Sequence, residues 1–228
     1  MAKYEVVQGE GMNLVKATLQ DETIRTEAGA LYYMRGPIAM QTQAPSVGGF
    51  LKSMASGETV FRPTYTGTGE IFMEPSFGGF HIMSDLEGQE WILERGAYYS
   101  SDGDVKVDVH RDATMTSLLS GKGFVNFQTK VSGQGQVVVT AQGDVQTMLI
   151  ENDKLVVDGR FVVARTGSLN YRIERATKGF FGSMASGEGL VSTFEGSGKV
   201  LIAPIPYWRQ RMYDGITRLA TMASSSSS

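Results

Sequence analysis

The chain repeats itself three times with a period of about 65 residues. Residues 53–58 read SMASGE, and residues 183–188 spell the same six letters. A weaker copy, SLLSGK, begins at Ser117, which lies 64 residues after Ser53 and 66 residues before Ser183. A fixed period of this kind is typical of chains in which one small unit is stacked on the next. In an open stack of this kind, the outer sides of the two end units have no neighbour.

Two further landmarks keep the same period. Each unit has a glycine ahead of an apolar segment, at Gly29, Gly96 and Gly159. Each unit also carries a G-x-G pair, and the pairs are Gly67 and Gly69, Gly133 and Gly135, and Gly196 and Gly198. We therefore predict three β units, then an amphipathic helix and a disordered serine tail, at residues 1–74, 75–139, 140–204, 205–223 and 224–228.

The segments between these landmarks have the composition of β-strands. EWILERGAYY, VKVDVH, GQVVVTA and KLVVDGRFVVA are rich in β-branched and aromatic residues, and several alternate apolar with polar positions. The G-x-G pairs predict turns or bulges at which a side chain would clash. The sequence thus predicts an all-β protein.

The repeated hexapeptide is interpreted as a structural corner rather than as an active site. In the first copy, the apolar residues on one face of a short helical turn and the glycine that ends it are Phe50, Leu51, Met54 and Gly57. If Glu58 and Glu188 were acid–base residues of every unit, the middle unit would keep the carboxylate, but it has Lys122. A catalytic role is therefore disfavoured for both glutamates.

No constellation of residues in the sequence requires catalysis, a metal or a cofactor. His81 and His110 lack partners at metal-ligand spacing. The carboxylates that suggest a cation site as an alternative are Asp102, Asp104, Asp108 and Asp112. Because VKVDVH alternates like a strand, we expect these carboxylates on a solvated face and a turn.

His110-Arg111-Asp112 matches a protein-kinase tripeptide, but the other kinase motifs are missing. We predict that the protein is not an enzyme and has no catalytic, cofactor-binding or metal residues.

Charge and composition exclude several classes of function. The formal net charge is -3 and the sequence pI is about 5.5, so the chain has no overall attraction for nucleic acid. The absence of cysteine excludes disulfides and thiolate metal sites. No targeting peptide and no apolar run of membrane-spanning length is visible. The sequence predicts a soluble cytoplasmic protein.

The pattern changes after Pro206. The apolar residues close to one helical face of this segment are Trp208, Met212, Leu219 and Met222, and the basic ones are Arg209, Arg211 and Arg218. We expect a terminal helix that packs on the β body or on another subunit. Peripheral contact with a membrane surface is the alternative.

The sequence resembles the AIM24 family in the order and threefold repetition of its motifs. These motifs are the GALYYM and GAYYSSDGDVKVDV strands, the glycine-ended helical turn before SGE, and the hairpin with its G-x-G. The resemblance covers about residues 4–204. It implies a fold similar to that of the tryptophan RNA-binding attenuation protein, here as three shortened double-stranded β-helix or β-sandwich units in a pseudo-threefold arrangement. No catalytic residues are established for the family, so the resemblance assigns none to this chain. Eukaryotic members of the family are mitochondrial and are linked to inner-membrane organisation.

The leading hypothesis for function is a non-enzymatic scaffold that forms a homo-oligomer. The alternative is a binding module for a small ligand, RNA or a membrane surface. RNA binding would need basic residues that recur in successive units. The charge does not recur, because Lys52 corresponds to Thr116 and Gly182, and Arg62 has no basic counterpart in the third unit. We therefore expect no nucleic-acid partner.

Overall fold

The computed structural model describes residues 1–42, 62–76, 78–84, 86, 88–112, 126–175 and 190–204. These residues form two antiparallel sheets of eight and seven strands, which confirms the predicted all-β class. The one helical element among them is the 3-10 turn Gly159–Phe161. In the part of the chain that the structure describes, there is no helix with the length and apolar character of a membrane span.

The first sheet combines strands from the first and second units. Its central path runs β3-β5-β2-β8-β11-β6, with β1 added to β2 and β4 added to β5. These strands are β1 (Lys3–Gln8), β2 (Asn13–Thr26), β3 (Leu31–Arg35), β4 (Ile38–Gln41), β5 (Thr64–Ser76), β6 (Phe80–Met83), β8 (Tyr98–Asp102) and β11 (Val137–Thr140).

The second sheet combines strands from the second and third units. Its path runs β12-β15-β13-β7-β10-β9, with β14 added to β15. The strands are β7 (Trp91–Leu93), β9 (Lys106–Asp112), β10 (Asn126–Ser132), β12 (Gln146–Asp158), β13 (Val162–Thr166), β14 (Asn170–Arg175) and β15 (Leu190–Ile202).

The middle unit is divided between the two sheets. In the first unit β2 and β5 pair along almost their whole length, and β12 and β15 do the same in the third. In the middle unit each corresponding strand is broken in two. Its β6 and β11 pair in the first sheet, whereas β7 and β10 pair in the second.

One bulge recurs in all three units and fixes which residues are equivalent. The pairing of β3, β8 and β13 with the returning strand of their own unit slips by one residue, at Tyr32, Tyr99 and Val163 respectively. Just before each bulge, a carbonyl accepts a hydrogen bond from that returning strand: Ala30 from Glu74, Ala97 from Thr140, and Phe161 from Ala203. The same arrangement of strands is therefore built three times from different residues.

The first G-x-G lies inside a strand rather than in a turn, but a side chain there would clash, as the sequence predicts, because two backbones approach closely. Gly67 and Gly69 lie in β5 at φ 143° and 150°, which an L side chain rarely adopts. A Cβ on Gly69 would overlap the carbonyl oxygen of Arg35, and one on Gly67 would overlap that of Pro37. The pair therefore lets the β3–β4 connection lie directly against β5.

The core is made of three apolar clusters. One lies in the first unit around Ile24, Tyr65 and Ile71, and another lies in the third unit around Phe194 and Val200. The largest cluster lies between them and draws mainly on the middle unit. It also takes in Val163, Ala164, Leu201 and Ala203 of the third unit. The apolar interior is thus continuous across the division between the sheets.

Candidate functional site

Neighbouring units are joined by one repeated strand pairing, which we call the junction. At the first junction, β8 of the middle unit pairs with the end of β2, with Arg25 opposite Ser101. The Glu27 N–H then donates to the carbonyl of Tyr99 at 2.8 Å. The second junction repeats this geometry with β13 and β7, where the Glu94 N–H donates to the carbonyl of Val163 at 2.9 Å.

Residues at both junctions are buried. Tyr99, Ser100, Ser101 and Asp102 of β8 are all buried, as are Val163, Ala164, Arg165 and Thr166 of β13. The residues of β7 that face the second junction, from Trp91 to Leu93, are buried as well. Each junction therefore covers a strand edge that would otherwise offer unpaired backbone groups to solvent.

Two further strand edges are equivalent to the edges that meet at the junctions, but no neighbouring unit of the chain pairs with them. Strand β3 ends the path of the first sheet and β12 ends that of the second, and neither pairs outward within the described residues. We call the first the β3 edge (residues 31–35) and the second the β12 edge (residues 154–158). Both carry large exposed apolar side chains, namely Tyr32, Tyr33, Met34 and Val156.

The contrast between Tyr32 and Tyr99 shows what a junction does. Both residues occupy the bulge of their unit. Tyr99 is 3% exposed because β2 lies beside it, and its hydroxyl donates to the carbonyl of Glu74 at 2.8 Å. Tyr32 is 61% exposed. The same residue type at the same place in the repeat is thus buried at a junction and exposed at the open edge.

Asp102 organises the first junction as a hydrogen-bond acceptor. Its two carboxylate oxygens accept the N–H groups of Ala2 at 3.0 Å and Gln136 at 2.7 Å. Burial raises the pKa of Asp102 above its usual value. Nearby, the hydroxyls of Tyr4 and Ser100 lie 3.2 Å apart, which ties β1 to the junction. The sequence singled out Asp102 as a possible cation ligand, but here it binds two backbone amides.

Arg165 is a buried charged residue of the second junction, and one of its partners is the buried Gln128 of β10. The guanidinium of Arg165 donates to the side-chain oxygen of Gln128 at 3.2 Å and lies 4.2 Å from the centre of the Tyr171 ring. The Gln128 amide donates in turn to the Glu94 carboxylate at 2.8 Å. Because a buried charge needs partners, these contacts explain how the arginine is accommodated.

An open groove of about 470 Å³ runs along the first junction. Its charged lining residues are Arg25, Arg62, Asp104, Lys106 and Asp108. Arg25 donates to the carbonyl of Val105 at 2.8 Å, and the Arg62 guanidinium lies 4.9 Å from the centre of the Tyr98 ring. The lining carries both cationic and anionic side chains, so the groove has no single strong charge.

The other candidate residues are dispersed. His81 lies in β6 opposite Val139, and burial lowers its pKa. His110 lies in β9 opposite Gln128, as the strand-like alternation of VKVDVH predicts. Among the described residues, no three His, Asp or Glu side chains lie close enough together to hold a metal ion.

Several predicted features lie outside the described residues. These are Glu58, Glu188 and Lys122 of the three hexapeptide copies, the amphipathic helix at 205–223 and the serine tail at 224–228. The side chain of Asp112 also lies outside them. The repeat predicted uncovered outer sides on the end units, but the strands and residues that form the two open edges were not identified from the sequence. The available signal was the difference between LYYM in the first unit and YYSS in the second, where polar residues replace the apolar ones.

Comparison with known proteins agrees with this architecture. A crystal structure of protein SPYM3_0169 from Streptococcus pyogenes is similar in fold, with a TM-score of 0.72 and 22% identity, covering 96% of this chain and all of that one. The uncharacterised protein M6_Spy0233 of Streptococcus pyogenes serotype M6 is 28% identical over 158 residues, which span 68% of this chain and 63% of the relative. The family model described as mitochondrial biogenesis AIM24 matches residues 4–205. The chain therefore belongs to the AIM24 family.

Proposed function

We propose that this protein is a non-enzymatic scaffold that assembles with copies of itself through its β surfaces. The observation that carries the proposal is the pair of open edges. The exposed side chains of Tyr32, Tyr33 and Met34 at the β3 edge occupy places that are buried at both internal junctions. At the β12 edge Val156 is exposed, whereas its equivalents are half-buried at the first junction (Arg25) and buried at the second (Ile92). An exposed, apolar sheet edge is a template for pairing with another chain unless charge or covering elements block it. Burial of apolar side chains at such an edge stabilises the association in addition to the backbone hydrogen bonds.

The chemistry of the described residues is consistent with a structural role. The buried polar residues at the junctions, Asp102 and Arg165, are engaged by backbone amides, an amide side chain and an aromatic ring. Their contacts hold neighbouring units together. A scaffold needs this kind of rigid internal connection, because its outer edges must be held at fixed positions.

Light scattering coupled to size exclusion tests the proposal. The chain has a mass of 24.8 kDa, and we expect a larger mass that depends on concentration in the micromolar range. A mass of one chain at every concentration would refute assembly. Deleting residues 206–228 then measures whether the C-terminal segment contributes. Fractionation of the host cells tests the accompanying proposal that the scaffold is cytoplasmic.

A second candidate function is the binding of a small charged ligand in the groove at the first junction. The observation in its favour is that Arg25, Arg62 and Lys106 converge there from two units. Native mass spectrometry of the protein purified from its own host measures retained ligands and stoichiometry together. A bound small molecule that is lost in an Arg62→Gln variant would favour this function, and an unliganded oligomer would favour the scaffold.

A further inference from the structure

We propose that the β3 edge of one copy pairs antiparallel with the β12 edge of a second copy, in the same register as the two internal junctions. This inference rests on the proposed scaffold function and deepens it, because it names the partner surface and the residues that face each other. The partner is a second copy of this chain. Each copy offers both edges, so the contact is head-to-tail.

The register follows from the equivalence of the three units. The recurring bulge makes Tyr32 equivalent to Tyr99 and Val163. At the two internal junctions, the N–H groups of Glu27 and Glu94 donate to the carbonyls of Tyr99 and Val163 respectively. Glu27 and Glu94 each lie three residues before the residue whose carbonyl accepts a hydrogen bond just ahead of the bulge, Ala30 and Ala97 respectively. In the third unit that residue is Phe161, so the equivalent donor is Asp158, three residues before it. The missing junction therefore sets the Asp158 N–H against the carbonyl of Tyr32.

The neighbouring pairs are fixed by the same alignment. At the first junction Arg25 lies opposite Ser101, and at the second Ile92 lies opposite Arg165. The equivalent pair is Val156 opposite Met34. It lies two residues along from the hydrogen-bonded pair, so it is hydrogen-bonded as well. Both of its side chains are exposed in the single chain, at 50% and 40%.

Within one copy these two edges belong to different sheets and do not pair among the described residues. A second copy therefore supplies the missing strand to each edge. The new pairing would continue the series of junctions that the chain already forms twice, with β3 in the place of β8 and β13, and β12 in the place of β2 and β7. It would also cover Tyr32, as the first junction covers Tyr99.

Disulfide trapping tests this pairing directly, because the chain has no cysteine of its own. Two full-length variants, Met34→Cys and Val156→Cys, are purified separately, mixed and oxidised. The Cα atoms of a hydrogen-bonded antiparallel pair lie about 5.5 Å apart, which suits a disulfide. We expect a covalent species of twice the chain mass in the mixture, and its loss when either variant is oxidised alone.

The matched control replaces Val156→Cys with Leu149→Cys. Leu149 lies in the same strand and is also exposed, but it falls outside the β12 edge. We expect no mixed disulfide with Met34→Cys in this case. Equal trapping by the control would overturn the proposed register. In a second pair of variants, Val156→Asp and Leu149→Asp, light scattering measures the oligomer mass, and only Val156→Asp should lower it. A lysine is not used at position 156, because its equivalent at the first junction, Arg25, is also cationic.

The possible failures are distinguishable. If light scattering shows an oligomer but the mixture gives no mixed disulfide, the proposed pairing is wrong and the scaffold function stands. If a double variant with both cysteines in one chain forms only an intramolecular disulfide, the edges close within one copy and the second-copy partner is overturned. A chain that stays monomeric at all concentrations would refute both the pairing and the scaffold.

Discussion

Gly69→Ala and Gly29→Ala form a matched pair that measures the close approach at the first G-x-G. Both glycines have positive φ, 150° and 81° respectively. Putting alanine at either position costs about 1–2 kcal/mol of backbone strain. At Gly29 the new Cβ meets nothing within 4 Å, so the strain is the whole native-state cost.

At Gly69 the new Cβ meets the carbonyl of Arg35 and, at 3.0 Å, the Cδ1 of Ile38. The carbonyl belongs to the main chain, so the β3–β4 connection must move. Overpacking of this kind costs a further ~1–3 kcal/mol. Both variants also restrict the unfolded chain equally, which stabilises each by about 0.4–1 kcal/mol and cancels in the comparison. The expected difference in the free energy of unfolding is thus about 2 kcal/mol.

Urea unfolding followed by circular dichroism measures this difference at a fixed protein concentration, since assembly shifts apparent stability. For a chain of this size, about 2 kcal/mol corresponds to a drop in Tm of roughly 4–8 °C for Gly69→Ala relative to Gly29→Ala. If the two variants unfold within about 0.5 kcal/mol of each other, the backbones do not touch as described, and the steric reasoning fails.

Three further outcomes follow from the buried residues. Asp102→Ala leaves the N–H groups of Ala2 and Gln136 without their acceptor and should lower the free energy of unfolding by about 2–6 kcal/mol in urea titrations. Because burial raises the folded pKa of Asp102, its protonated form is favoured in the folded state. Its contribution is therefore fully present below the unfolded pKa and is lost as pH rises through the folded one. Urea titrations at several pH values should show wild type losing stability relative to Asp102→Asn across that window, and parallel pH dependence would contradict this. Phe194→Ala, in the core of the third unit, should cost about 3–5 kcal/mol by the same assay, whereas Leu149→Ala at the surface should stay within ~0.5 kcal/mol.

The strands could be predicted from the sequence because alternation and β-branched composition are local properties. VKVDVH and GQVVVTA form strands β9 and β11, and the first G-x-G is a close contact of two backbones. The period also indicated equivalent segments. Local patterns hold no information about which strand lies next to which.

For that reason, the period predicted uncovered end units but not which strands would form the open edges. Tyr32 and Tyr99 stand in nearly the same local sequence, yet their exposures differ because only Tyr99 has a neighbouring unit on that side. Asp102 is similar, because its two donors come from residues 100 positions before it and 34 after it. Which contacts form at such separations is decided by the packing of the whole chain, so a turn-like run of aspartates resembled a cation site.

The division of the middle unit between the two sheets limits how the protein can unfold and how its gene can change. Because β6, β8 and β11 belong to one sheet and β7, β9 and β10 to the other, neither sheet can lose its order without removing strands from the middle unit. Unfolding should therefore be cooperative over the described chain, with no stable single-unit fragment. A truncation that ends after the first unit leaves β2 without β8, so it exposes the edge that β8 covers. Recombination can add or delete units only as whole periods, since a cut within a unit separates the two strand pairs that link its neighbours.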